Sequence, residues 1–235
     1  MRNTTQAFTR IELLAVCTAL ALLALVVAPA LATNKTDADR AACFNNLRQI
    51  GRAVQMWGAD HQNDPPWRTP VFQGGTQPES GLTAKNAWLE FAVLSNEVAT
   101  PRLLVCPADG EAKVASEFSN EASRGYMATG FRGLATSYFI NLHTLSATPV
   151  SIVCGDRNLR LAGPAACVFG LNNASTFDLF GLGSAGWTNA VHGQQGHILR
   201  MDGSVLETTS RQFLAAFILS EGNNDNASPH LLKAR

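Results

Sequence analysis

From Leu13 to Ala32 the chain runs through Ala, Leu, Val, Cys and Pro, with Thr18 as its polar interruption. About twenty residues at about 1.5 Å rise can cross a hydrocarbon core of roughly 30 Å, so this pattern predicts a membrane-spanning helix. Glu12 stands at its entrance, where a carboxylate is costly unless it lies near the headgroups or is paired. Beyond Thr33 the apolar positions recur mostly at three- and four-residue intervals, at Ala42, Leu47, Ile50, Ala53, Val54 and Trp57, with Asp37, Asp39, Arg40, Arg48 and Arg52 elsewhere. That period predicts one helix continuing to about His61. Pro29 is expected to bend it and Gly51 to weaken it. Asp64-Pro65-Pro66 ends it.

The stretch to Gly81, rich in Gly, Pro, Gln and Thr, reads as a long surface loop. Trp88, Leu89, Phe91, Ala92 and Leu94 predict a short amphipathic helix, and Arg102-Leu103-Leu104-Val105-Cys106-Pro107 a buried strand ended by proline. Thr136 to Ile140 and Pro149 to Cys154 read as strands, the second closed by a Gly155-Asp156-Arg157-Asn158 turn. In His197 to Glu207, Asp202-Gly203 separates two β-prone runs and predicts a type I′ hairpin. From Ser210, as N-cap, a helix carries Phe213, Leu214, Phe217 and Ile218 on one face and stops at Gly222. Asn223 to Arg235 reads as a weakly ordered polar tail. The expected class is α+β: a long N-terminal helix, half in the membrane and half soluble, packed on a small antiparallel sheet with irregular loops.

Composition adjusts this picture in three ways. The formal charge over 235 residues is zero, which excludes the basic face of a nucleic-acid binder. Arg2 and Arg10 precede the apolar run, so the N-terminus is expected in the cytoplasm and everything after Ala32 outside. A cleaved secretory signal is the alternative, with Ala28-Pro29-Ala30 imitating its cleavage site. Of five cysteines, Cys17 lies in the apolar run, and Cys43, Cys106, Cys154 and Cys167 lie beyond it. Four cysteines outside a membrane allow three connectivities. Cys154 with Cys167, around a short Gly/Pro-containing segment, is the favoured pair, worth about 3 kcal/mol in the chain-entropy account.

His192, His197, Asp156 and Asp202 are the candidates for acid/base or metal chemistry. The expectation for them is turn chemistry. Asp202 sets the hairpin with Gly203, Asp156 sits in its own turn, and His192 hydrogen-bonds to the hairpin backbone. No C-x-x-C or histidine at ligand spacing supports zinc, and Asp225, alone among Asn223, Asn224 and Asn226, gives calcium little support. No metal or cofactor is therefore expected. The chain lacks a nucleophile elbow, a phosphate-cradling glycine loop and H-E-x-x-H, so no enzyme is expected either. Trp57, Trp67, Trp88 and Trp187 are expected to pack against helix or sheet.

The opening Ala7-Phe8-Thr9-Arg10-Ile11-Glu12-Leu13-Leu14 resembles the cleavage and methylation signal of type IV pilins and type II secretion pseudopilins. Two residues depart from that signal: Ala7 replaces its glycine, and Arg10 replaces an apolar residue. The resemblance implies a prepilin peptidase cutting between Ala7 and Phe8 and methylating the Phe8 amine, with Glu12 and Pro29 serving assembly. Further matches look like a pseudopilin-like subgroup of unassigned role. These are Cys43 to Gly51, Val105-Cys106-Pro107, Ser137-Tyr138, Gly155-Asp156-Arg157-Asn158, Trp187, and His192 followed after nine residues by Asp202-Gly203. The resemblance implies a leader at 1–7, an assembly helix at 8–32, a periplasmic pilin-like domain at 33–222 and a tail at 223–235. It implies a non-enzymatic subunit of the bacterial inner membrane, whose partners are the peptidase and other pilin or pseudopilin subunits. The alternative is a membrane-anchored periplasmic binding domain that does not polymerise.

Overall fold

The computed structural model describes residues 9–77, 87–144, 146–160, 175–176, 186–221 and 230–232, without the side chains of 26–34, 175, 176, 221, 230 and 232. Helix α1 spans Arg10–Asp60, and the chain divides into two units, Met1–Asp39 and Arg40–Arg235.

In the first unit α1 opens with a capping box. The Thr9 N–H and hydroxyl donate to Glu12 Oε2 at 2.8 and 2.9 Å, and the Glu12 N–H donates to Thr9 Oγ1 at 3.3 Å. The pattern satisfies donors that a helix start leaves open. Ile11, Leu13, Leu14, Leu20, Leu22, Leu23 and Leu25 are all exposed. Among the described residues no helix is long and apolar enough to cross a membrane. The expected span runs on into 26–34, whose side chains, Pro29 included, lie outside the described set. Ala7 and Phe8 lie outside it too.

The second unit is α+β, a sheet covered on both faces. Its strands are β1 Tyr138–Asn141, β2 Ile152–Asp156, β3 Leu159–Arg160, β4 Ser175–Thr176, β5 Gly186–Trp187, β6 Gln195–Arg200, β7 Val205–Thr209 and β8 His230–Leu232. Among the described residues six of them form an antiparallel sheet in the order β4-β8-β1-β2-β6-β7, and β3 pairs with β5. Side chains alternate across a strand, and the two cores follow that alternation. Tyr138, Ile140 and Leu199 join Cys43, Leu47, Ile50, Ala53 and Val54 of α1. Phe139 and Ile198 join Trp187 and the Phe213, Ala216 and Phe217 of α4, Ser210–Glu221. A β-carbon at Gly51 would stand 2.8 Å from Leu199 Cδ1. Glycine there lets α1 approach β6 closely, which is why this weak helix former is kept mid-helix.

Several expectations are corrected. The loop after Pro65 is not all surface: Pro65, Pro66 and Trp67 are buried, and residues 78–86 lie outside the described set. The short helix appears as α2 Ala87–Val93, followed by α3 Ser95–Val98. Pro101–Leu104 is a 3-10 turn rather than a strand, since Pro101 fixes a helical φ at its start and Thr100 caps it. The hairpin turn is Arg200 to Gly203, closed by Gly203 N–H to the Arg200 carbonyl and Arg200 N–H to the Ser204 carbonyl. Gly203 has φ +81° whereas Asp202 does not enter the positive region, so this is a three-residue loop and not type I′.

Helix α4 is capped by Thr209, which exchanges hydrogen bonds with Gln212, while Ser210 Oγ accepts the Trp187 N–H. Ile218 faces solvent, and Ala216 takes its expected place in the core. The polar tail is not wholly irregular: Leu231 is fully buried and β8 pairs with both β1 and β4. Residues 222–229 and 233–235, Asp225 among them, lie outside the described set.

Candidate functional site

Strand β2 ends on Asp156 rather than turning there, because β1 and β6 pair with it on either side. The pairing of Gly155 with Ile198 sets His197 beside Asp156. The His197 N–H donates to Asp156 Oδ2 at 2.7 Å, and His197 Nδ1 lies 2.9 Å from the same oxygen. Ahead of β6 the chain reverses through Gly193 and Gln194, with φ of +62° and +64°. That reversal brings His192 back over the same carboxylate, with Nε2 at 3.6 Å from Oδ2. The two imidazoles meet edge to face with centroids 5.0 Å apart.

Helix α1 closes the cluster. The Phe44 ring meets His197 edge-on at 6.0 Å, and Arg40 donates to the His192 carbonyl at 3.2 Å. Cys43 is bridged to Cys106 with their Cα atoms 5.1 Å apart. Cys106 Sγ lies 3.4 Å from His192 Nε2. Asp156, His192 and His197 are exposed by 0, 2 and 2%, so the cluster is sealed. Asp156 Oδ1 is buried and has no hydrogen-bond partner among the described residues.

Burial holds the His192 imidazole below its ordinary value, with His197 and Arg40 reinforcing the shift and Asp156 opposing it. Burial pushes the Tyr138 phenol and the Cys154 thiol upward, and the Asp156 carboxylate adds to both. Cys154 is consequently an inert thiol. Next along the chain, Arg157 forks onto Asp109 with Nε–Oδ2 and Nη2–Oδ1 distances both 2.6 Å, and Ser137 donates to Oδ2 at 2.7 Å. Burial opposes ionisation of Asp109, but the Arg157 and Ser137 hydrogen bonds outweigh it and hold the carboxyl below its ordinary value. A pocket of about 150 Å³ opens beside this pair, lined by Asp109, Arg157, Asn158, Thr188 and Val191.

The arrangement is not a nucleophilic triad. A triad histidine uses one nitrogen for its nucleophile and the other for its carboxylate. Here His192 turns the same Nε2 toward both Cys106 and Asp156, and Cys106 is spent in the bridge. What converges instead is a set of lone-pair donors on one small buried volume.

The sequence reading placed these residues differently. Asp156 is a strand residue in a buried cluster, not a turn residue, and its neighbour Arg157 belongs to a second buried ion pair. His192 faces Asp156 and Cys106 instead of the hairpin backbone. Asp202 does serve its hairpin, accepting the Ser204 N–H at 2.9 Å. Among the described residues Cys154 is a buried thiol inside the sheet and Cys43 is bridged to Cys106, while the bridge expected between Cys154 and Cys167 reaches beyond the described residues. Cys167 itself lies outside the described residues. Only a local part of the signal was present: the apolar run Ile152-Val153-Cys154 could extend as a strand through Asp156, and His192 and His197 flank Gly193 and Gly196.

Trp67 and Trp187 are core residues, and Trp57 stacks on His61 at 4.0 Å. No family model, no curated protein and no solved structure matches the chain.

Proposed function

We propose that this chain is a prepilin-like subunit of the bacterial inner membrane that assembles, without catalysing a reaction, into a type IV pilus or a type II secretion pseudopilus. The observation that carries the reading is α1. It is a 51-residue helix whose apolar side chains, from Ile11 at 79% to Leu25 at 72% exposed, have no cover among the described residues. Its lone acid in the first turn is Glu12, held by Thr9. An apolar helix face of that kind asks for lipid or for copies of itself.

In this reading the prepilin peptidase cuts between Ala7 and Phe8 and methylates Phe8, with the N-terminus cytoplasmic and the second unit periplasmic. Both Thr9 bonds to Glu12 use Oε2, so Oε1 is the atom that would take the Phe8 amine of a neighbouring subunit. Such a pair adds little net stability and much register, since a subunit out of step leaves a charge unpaired. Filament assembly would then extract the helix from the bilayer.

The test is the mass of the mature N-terminus together with a Glu12→Ala variant. A chain starting at N-methylated Phe8, and loss of helix-to-helix crosslinks between copies in Glu12→Ala, are expected. An intact Met1 without such crosslinks would leave the anchored, non-polymerising binding domain. A start near Thr33 would mean a cleaved secretory signal.

A further inference from the structure

We propose that Asp156, His192 and His197 form a binding site for a divalent transition-metal ion of the zinc class. The site lies between the second half of α1 and strands β2 and β6, and it does not depend on the filament reading. Three observations carry it.

The first is convergence. One donor atom from each of the three residues falls within 4.8 Å of the others. Zinc bonds of about 2.0–2.2 Å to nitrogen and oxygen in a tetrahedron set the ligand atoms about 3.4 Å apart. His192 Nε2 and Asp156 Oδ2 already stand at 3.6 Å, and His197 Nδ1 and Oδ2 at 2.9 Å. Those two separations lie within about half an ångström of the zinc value, and the ion exchanges one histidine–carboxylate contact for two metal bonds.

The second is Asp156 Oδ1, which has no partner among the described residues and belongs to a residue with no solvent exposure. Buried carboxylate oxygens are normally satisfied. A structural His–Asp pair needs one histidine, and His197 already fills that role through Oδ2. It explains neither the bare Oδ1 nor the second imidazole aimed at the same group. A cation bound among the three accounts for the second imidazole, and for Oδ1 where the carboxylate chelates it through both oxygens.

The third is donor chemistry. Two imidazoles and one carboxylate suit zinc-class ions, whereas calcium and magnesium call for oxygen shells. The ligands are already held in place: the His197 backbone N–H orients the carboxylate, and Arg40 holds the His192 carbonyl. The neighbouring sulfurs of Cys43 and Cys106 also fall within 4.8 Å of a His192 nitrogen. They are joined to each other, so the proposed shell contains nitrogen and oxygen alone.

The experiment uses the full-length, tag-free chain in detergent micelles with its disulfide intact. Metal is first stripped with a chelator, and zinc chloride is then titrated by calorimetry and by thermal unfolding. One zinc per chain is expected, with a Kd below about 10 μM and a rise in Tm. X-ray absorption at the zinc edge should show imidazole and oxygen neighbours without sulfur.

His192→Ala and His197→Gln should each weaken binding at least about a hundredfold. Should His197→Gln fail to fold because Asp156 loses its partner, His192→Ala still gives the reading. The proposal is overturned if no zinc binds at about 1 mM, if His192→Ala binds it with unchanged affinity, or if sulfur appears in the shell.

Discussion

Opening the Cys43–Cys106 bridge in a Cys43→Ala/Cys106→Ala variant should cost more stability than any other pair of small changes in the second unit. The bridge joins residues 63 apart in sequence. In the chain-entropy account a loop of that size loses about 14 cal/mol/K from the unfolded ensemble, about 4.3 kcal/mol at 25 °C. Both sulfurs are buried, at 0 and 1% residue exposure, so each truncation adds about 1 kcal/mol for the void it leaves. A loss of about 4–6 kcal/mol is comparable with the whole stability of many domains. Urea unfolding of the full chain in detergent, followed by circular dichroism, measures it. The m-value should rise as well, because an uncrosslinked unfolded chain exposes more surface. A loss below about 1 kcal/mol with an unchanged m-value would refute the entropic argument.

Acid should destabilise the protein in two stages. His192 is depressed below 6.5, so its neutral form contributes stability that is complete above pH 6.5 and declines as pH falls below it; Asp109, depressed below 3.8, contributes stability lost only as pH falls beneath that value. Stability measured against pH should show both steps, and a flat profile from pH 7 to 5 removes the His192 part. Arg157→Met should cost about 3–5 kcal/mol near neutral pH by stranding the Asp109 carboxylate, with the cost shrinking in acid as Asp109 takes a proton. An undiminished cost at pH 4 would count against that account. Thr209→Ala removes one half of the α4 capping box and should lower stability by about 1 kcal/mol, whereas Ser210→Ala should act instead through the lost Trp187 contact, seen as a change in tryptophan fluorescence.

What the sequence revealed was whatever local chemistry decides. The end of α1 near Asp60 followed from the helical period and two prolines, and the strands around Phe139, Val153 and Ile198 from short apolar runs. The candidate site was hidden because its partners are remote. Gly155-Asp156-Arg157-Asn158 has turn composition, and only the pairing of β2 with β6 turns Asp156 toward His197. The nearest cysteines drew attention because loop entropy favours short closure, and the bridge between Cys43 and Cys106, 63 residues apart, could be seen only once the fold brought α1 to Cys106. His230-Leu231-Leu232 is too short a run to signal β8 inside a polar tail. At the hairpin, Asp-Gly fixed the place of the reversal, but the extra residue of the loop depended on how β6 and β7 pair.

The segments singled out by their resemblance to one subgroup lie far apart in sequence, and the fold gathers most of them at the contact between α1 and the sheet. Apolar contacts alone would hold that contact loosely in register. Leu47, Ile50 and Val54 present similar surfaces one turn apart, so sliding α1 by a turn would exchange one aliphatic contact for another. The polar groups do not permit the exchange. A one-turn slip would break the Cys43–Cys106 bridge, the Asn46 bond to the Val105 carbonyl and the Arg40 bond to the His192 carbonyl together. Buried polar clusters return little net stability but penalise every alternative packing. Asp156 and its histidines fit that role, since α1 meets them through the Phe44 ring on His197 and the Arg40 bond to the His192 carbonyl, and a slip would lose both. A bound cation would add to the same constraint, because its ligands come from β2, from β6 and from the loop that Arg40 of α1 holds in place.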